Sequence, residues 1–188
     1  MNIVVKTASG RYIVRPDTTW ERDNEDLYLP EFVTKVGFTP VLFARISKPG
    51  RSIGEKFASR YYDGIGFGAL LYPEDMIDGS EEGFAAASCL DHTSFLPFPV
   101  DNVLTLGDGS SCFNLYKGEE NIFAYSKGTR EMIEKAIAEA TRFIYIRTGD
   151  VIAIELDIRR PLCTAEDGRV TLKATWCGRE SMKFDIIM

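Results

Sequence analysis

The run from Tyr61 to Tyr72 reads Tyr-Tyr-Asp-Gly-Ile-Gly-Phe-Gly-Ala-Leu-Leu-Tyr, apolar enough for a buried strand yet with glycine at 64, 66 and 68. Successive side chains of a strand point to opposite faces, so glycines at a spacing of two strip one face bare. Glycine also weakens a strand, through chain entropy and through the packing it leaves unmade. Three on one side therefore mark a place where another backbone or a ligand comes close. Gly64, Gly66 and Gly68 are expected to line a concave surface within a sheet-rich fold.

The chain is sized for a single domain, 1–188, since two halves would each have a thin core. Its 22 Lys and Arg against 28 Asp and Glu give a net charge of −6. That balance argues against nucleic acid or an anionic membrane as partner, because no surplus of cations replaces phosphate counterions. No apolar run approaches the roughly 20 residues that span a bilayer. The opening Met1-Asn2-Ile3-Val4-Val5-Lys6 lacks the parts of a secretory leader, so a cytoplasmic protein is expected. One histidine, His92, excludes a zinc site built on two or three histidines of one chain. Cys89, Cys112, Cys163 and Cys177 form no Cys-x-x-Cys and read as small buried apolar residues.

Along the chain, 3–6 and 11–14 flank Ala8-Ser9-Gly10 as a hairpin. Residues 16–37 form a polar arm: a mobile lid, an arm packed on a partner, or a surface excursion pinned by Trp20, Tyr28 and Phe32. Strands are expected at 40–46, 61–72, 151–156, 169–176 and 182–187, with an acidic loop at 73–82. Segment 84–90 is strand or short helix. One main helix is expected over 129–144, capped by Thr129, with Met132, Ile133, Ala136, Ile137 and Ala140 on its apolar stripe. The apolar run Val151–Leu156 reads as buried on both faces, whereas 169–176 alternates and has one wet face.

A phosphate-binding loop and a Gly-x-Ser-x-Gly elbow are absent, and the glycines at 64–68 lack the spacing of a dinucleotide fingerprint. Carboxylate chemistry remains, around Cys89-Leu90-Asp91-His92-Thr93. Asp91 suits a hard cation and His92 a proton-transfer role. The simpler alternative is a turn that closes a strand, with His92 exposed.

Several segments, in order, resemble the fumarylacetoacetate hydrolase family. Phe38-Thr39-Pro40-Val41-Leu42-Phe43-Ala44-Arg45 is similar to its Lys-Pro-x-Leu-Phe-x-Lys strand. Gly83 through Cys89-Leu90-Asp91-His92-Thr93 is similar to its Gly-Tyr-x-Leu-x-x-Asp-x-Thr segment. Ser111 to Asn121 resembles its Leu-x-Val-Asn-Gly-Glu hairpin. The helix followed by Ile146-Arg147-Thr148-Gly149-Asp150-Val151-Ile152 resembles its Leu-x-x-Gly-Asp-Val-Ile strand entry. Together they cover roughly 38–156.

The resemblance implies an α+β, β-rich fold: a mixed β-roll or β-sandwich with the one helix 129–144, and the hairpin and arm 1–37 ahead of a core 38–188. It implies a homodimer, and a hydrolase- or lyase-like activity on a small oxo-acid. A Mg²⁺ or Mn²⁺ held by a Glu-x-Glu pair and an Asp would act as Lewis acid. Asp91 matches the Asp. The Glu-x-Glu should fall on 61–70, where Asp63-Gly64-Ile65 offers one carboxylate. The expected site is therefore metal at Asp63 and Asp91, His92 catalytic, and Arg45, Gly64, Gly66 and Gly68 against the substrate. Glu74, Asp75 and Glu155 are candidate replacement ligands. The alternative is a non-catalytic relative that binds a small acid or a protein partner.

Overall fold

Residues 1–98, 106 and 112–188 are described in the computed structural model. In chain order the strands are β1 (Asn2–Lys6), β2 (Tyr12–Pro16), β3 (Trp20–Glu21), β4 (Leu27–Tyr28), β5 (Lys35–Ile46), β6 (Tyr62–Pro73), β7 (Ser94–Phe95), β8 (Phe113–Lys117), β9 (Glu120–Tyr125), β10 (Val151–Glu155), β11 (Arg160–Thr164), β12 (Arg169–Trp176) and β13 (Arg179–Ile187). The helices are α1 (Glu55–Ala58), α2 (Glu81–Ala87) and α3 (Arg130–Ala140).

Among the described residues these strands make two sheets. The larger runs β2-β1-β10-β5-β6-β7-β3, with β11 on the first half of β5; the smaller runs β4-β13-β12-β8-β9. The larger sheet curls until its ends meet. Arg15 of β2 donates to the Leu71 carbonyl of β6 and to the Thr93 hydroxyl beside β7, at 3.0 and 2.6 Å. The inside of this roll is filled by Ile3, Val5, Val41, Phe43, Leu70, Leu96, Val151 and Ala153. The outside packs on the smaller sheet and on α3, where Phe67 stacks on Phe113 at 4.9 Å and meets Trp176 edge-on at 5.1 Å.

The β-rich α+β class is therefore what the chain adopts, and most elements stand where the pattern puts them. β10 is buried on both faces because Val151 and Ala153 enter the roll interior while Ile152 and Ile154 join the outer core with α3, and β12 alternates strictly between core and surface. Thr129 caps α3 by accepting the N–H of Met132, and Ile133, Ala136, Ile137 and Ala140 face the core. The helix ends at Ala140, four residues before 144. There Thr141 turns to accept the Ile53 N–H, and Ile146 pairs with Gly50, which draws the chain out of the helix. Segment 84–90 is mostly helix: Ser80 caps α2 by accepting from Gly83 at 2.9 Å.

The arm is built into both sheets, and of its three aromatics Trp20 pins it, donating to the Leu96 carbonyl at 2.9 Å. Its β3 pairs with β7 in the roll, its β4 pairs with β13 in the smaller sheet, and from Lys35 it is already β5. Thr19, Glu21, Leu27 and Val33 anchor it, whereas Tyr28 and Phe32 are exposed. Of the four cysteines only Cys163 is buried; burial pushes its thiol up to about 11. No helix among the described residues is long and apolar enough to cross a membrane.

Candidate functional site

On β6 the positions facing the roll's interior are Gly64, Gly66, Gly68, Leu70 and Tyr72. Register sets Gly64 against Arg45, Gly66 against Phe43 and Gly68 against Val41. A Cβ at 66 would collide with the Phe43 ring, and one at 68 with the Phe95 carbonyl. The bare face is thus bare for a ring and a backbone of the same chain. The expectation that Gly66 and Gly68 hold this face open for a substrate is corrected, because Phe43 and Phe95 already fill the space. Arg45 is likewise engaged, donating to Asp63 at 2.8 Å, with Phe98 5.7 Å from its guanidinium.

The expected pairing of Asp63 with Asp91 does not form. Asp63 is the second residue of β6, whereas Asp91 precedes Thr93, whose carbonyl accepts the N–H of Leu71 near the other end of that strand. At about 3.3 Å per residue the two ends lie roughly 25 Å apart. Asp91 and His92 occupy an exposed turn, His92 with φ 57°, its backbone N–H donating to Thr18 and its Nδ1 3.3 Å from the buried Glu21. The turn alternative describes this segment, and among the described residues the acid–base partner of His92 is Glu21. Glu74 pairs with Arg159 at 2.6 Å; Asp75 accepts the N–H groups of Thr34 and Lys35. Among the described residues no three His, Cys, Asp or Glu side chains could hold a metal together.

The tyrosine end of β6 is different. Tyr72 is fully buried, and its hydroxyl donates to Glu155 at 2.9 Å; Thr39 donates to the same oxygen at 3.1 Å, and the Ala8 N–H to the other at 2.9 Å. Burial pushes the Tyr72 phenol well above its ordinary value of 10; Arg15 pulls it back and Glu155 pushes it further up. Behind the ring lies Arg15, 4.9 Å away and without any exposed surface. Its Nε donates to the Ser88 carbonyl, and its Nη1 has no partner. Burial holds its pKa below the usual guanidinium value, against Tyr72, Glu155 and Cys89 nearby. No carboxylate of the described residues forms an ion pair with it. Its charge is balanced at longer range by Glu155, on the far side of the Tyr72 hydroxyl.

A cavity of about 680 Å³ opens here, between the β1–β2 hairpin and α2. Ile13, Phe84 and Ile158 give it apolar walls; Tyr72, Glu155 and Arg159 supply the polar end. Arg159 lies over both Tyr72 and Phe84, at 5.7 and 5.9 Å. The residues that build this site escaped the sequence reading. Glu155 was visible only as a spare carboxylate, and Tyr72 only as the last residue of the glycine strand. Arg15 sits in an apolar strand, where a lone cation was the available signal.

Three solved structures illustrate what this architecture is similar to. A protein described as of the fumarylacetoacetate hydrolase family, from Yersinia pestis CO92, superposes with a TM-score of 0.81 at 18% identity, over 99% of this chain and 92% of that one. The fold is that of the fumarylacetoacetate hydrolases. The fumarylpyruvate hydrolase of Pseudomonas aeruginosa, solved with Mn²⁺ and pyruvate, gives 0.80 at 13% identity, over 100% and 90%. The 5-carboxymethyl-2-hydroxymuconate delta-isomerase of Mycobacterium smegmatis gives 0.77 at 16%, over 99% and 78%. No family model and no curated protein matches the sequence.

The fumarylacetoacetate hydrolase fold thus carries the roll in this chain without a fitting metal centre among the described residues. A Glu-x-Glu pair sets two carboxylates on one face of a strand. On β6 the inward face that could present them has Gly64 and Gly66, with Phe43 over Gly66.

Proposed function

We propose that this chain is a divergent member of the fumarylacetoacetate hydrolase family that binds a small oxo-acid in the cavity beside α2, as a homodimer and without a divalent metal. The observation that carries this reading is the inner face of β6. Phe43 covers Gly66 where one of a carboxylate pair would stand, and a cavity opens beside the tyrosine end. The ligand class follows from Arg159, which lines the polar end, with apolar walls suited to a carbon chain. Pyruvate bound to the similar hydrolase is of the same chemical class. Phe32, Phe57, Phe143 and Tyr145 are among the exposed apolar side chains that a second copy would cover.

The test is a thermal-shift series with pyruvate and longer aliphatic oxo-acids, each with Mn²⁺ and with EDTA. An acid at a hundredfold excess over its Kd should stabilise by about 2.7 kcal/mol, equally in both conditions. Arg159→Ala should weaken the acid about tenfold. A rise that needs Mn²⁺ would overturn the metal-free reading and return the chain to metal-dependent hydrolysis or isomerisation. Sedimentation at micromolar concentration reads the dimer.

A further inference from the structure

Where β12 turns into β13, polar groups stay unmatched. The indole Nε1 of Trp176 and the hydroxyl of Ser181 are both buried without a hydrogen-bond partner. Trp176 is only 5% exposed, and its ring is held edge-on against Phe67. Both residues line a second cavity, of about 560 Å³, between this hairpin and β6; Gly66, Phe98, Asn24 and Arg179 line it too. It is separate from the cavity beside α2, with which it shares no lining residue.

Local geometry explains why these groups converge. Trp176 and Arg179 are opposed across the strands, joined by the two-residue turn Cys177-Gly178, both with positive φ. That combination is a type I′ hairpin turn, whose twist matches the strands. One step on, Thr175 pairs with Glu180 but Ala174 with Met182, so Ser181 is the extra residue of a bulge. Bulges re-aim a side chain that would otherwise follow the pleat. Glu180 points its carboxylate at Lys173, 3.5 Å away, and leaves Arg179 without an ion pair among the described residues. An indole N–H and a guanidinium donate only, and a hydroxyl donates when an acceptor is offered. A buried donor left unmade is unfavourable, so the cavity favours a guest that brings acceptors and negative charge.

We propose that this inter-sheet cavity is a second binding site, for the carboxylate end of a small acid, which accepts hydrogen bonds from Trp176 Nε1 and Ser181 Oγ and pairs with Arg179. A carboxylate fits because its two oxygens accept from two directions in one plane. The site stands independently of the reading given for the cavity beside α2.

The chain has two tryptophans, so a ¹⁵N–¹H spectrum shows two indole N–H signals. That of Trp20 is an internal control, already bonded to the Leu96 carbonyl at 2.9 Å. On titration with acetate or propionate the Trp176 signal should move saturably while the Trp20 signal stays. Arg179→Gln should raise the Kd about tenfold and Ser181→Ala about three- to tenfold. Arg159→Ala should leave it unchanged, which separates this site from the other. A Trp176 signal that ignores both carboxylates would overturn the proposal. So would a response to phosphate alone, or a shift that survives Arg179→Gln and Ser181→Ala unaltered.

Discussion

The two ends of β6 face the same interior yet do opposite things. At Gly66 and Gly68 side chains are missing and neighbours take their place; at the tyrosine end, a large side chain is present and a cavity opens beside it. Gly66 receives the Phe43 ring and Gly68 the Phe95 backbone. Tyr72, by contrast, is held against Glu155 and under Arg159, so it props a wall. An absent Cβ reports a close neighbour, and the neighbour decides whether a ligand has room.

The largest test of that contrast removes the ring. Phe43→Ala should cost about 3–5 kcal/mol in urea denaturation, since Phe43 is fully buried inside the roll. Next is Gly68→Ala, where the new methyl meets a carbonyl that cannot rotate away; a loss of about 3 kcal/mol is expected. Gly66→Ala makes the sharper comparison, because its clash is with a ring. Its cost, about 1–3 kcal/mol alone, should largely vanish in the Phe43→Ala background. Additive costs in that double-mutant cycle would show that Gly66 answers to something other than Phe43.

At the other end, Tyr72→Phe should cost about 1–2 kcal/mol, because Glu155 loses one of its donors while the ring's packing remains. The smallest effect is the response to alkali. Tyr72 has a folded pKa above its unfolded value near 10, so its contribution is complete below pH 10. Above pH 10 the unfolded chain ionises first, and stability falls as pH rises towards the folded value. The Tm of the parent should therefore drop more steeply above pH 10 than that of Tyr72→Phe. Parallel curves would mean that the phenol titrates as if exposed.

How legible this was in the sequence follows the same divide. Periodicity located α3, β10 and β12, because each buries a face whose pattern is local. It also located the glycine strand, and left open whether a backbone or a ligand approached it. The answer depends on Phe43 and Phe95, which come from other strands, and register across strands is not written in either segment. Asp63 and Asp91 seemed a pair for the same reason: resemblance supplied their roles, but only the pairing of β6 with the segment through Thr93 fixes them at opposite ends. The arm 16–37 hid its strands because two-residue strands carry no period. Arg15 was hidden too, since nothing near it in sequence shows that Ser88, Leu71 and Thr93 will gather around its guanidinium.

The pairing of the first strands with the last also sets the order in which the chain can fold as it is made. The Asn2 N–H donates to Asp150, 148 residues on, and Asp26 accepts from the N–H of Asp185, 159 residues on. At about 5–20 residues per second, these strands wait roughly 7–30 s for those partners to be synthesised. During that interval β1 and β2 can form only their own hairpin, and isolated hairpins are marginal in water. Its apolar Ile3, Val4 and Val5 stay uncovered until β10 arrives, so the nascent chain is open to aggregation and to chaperones at β1 during that interval.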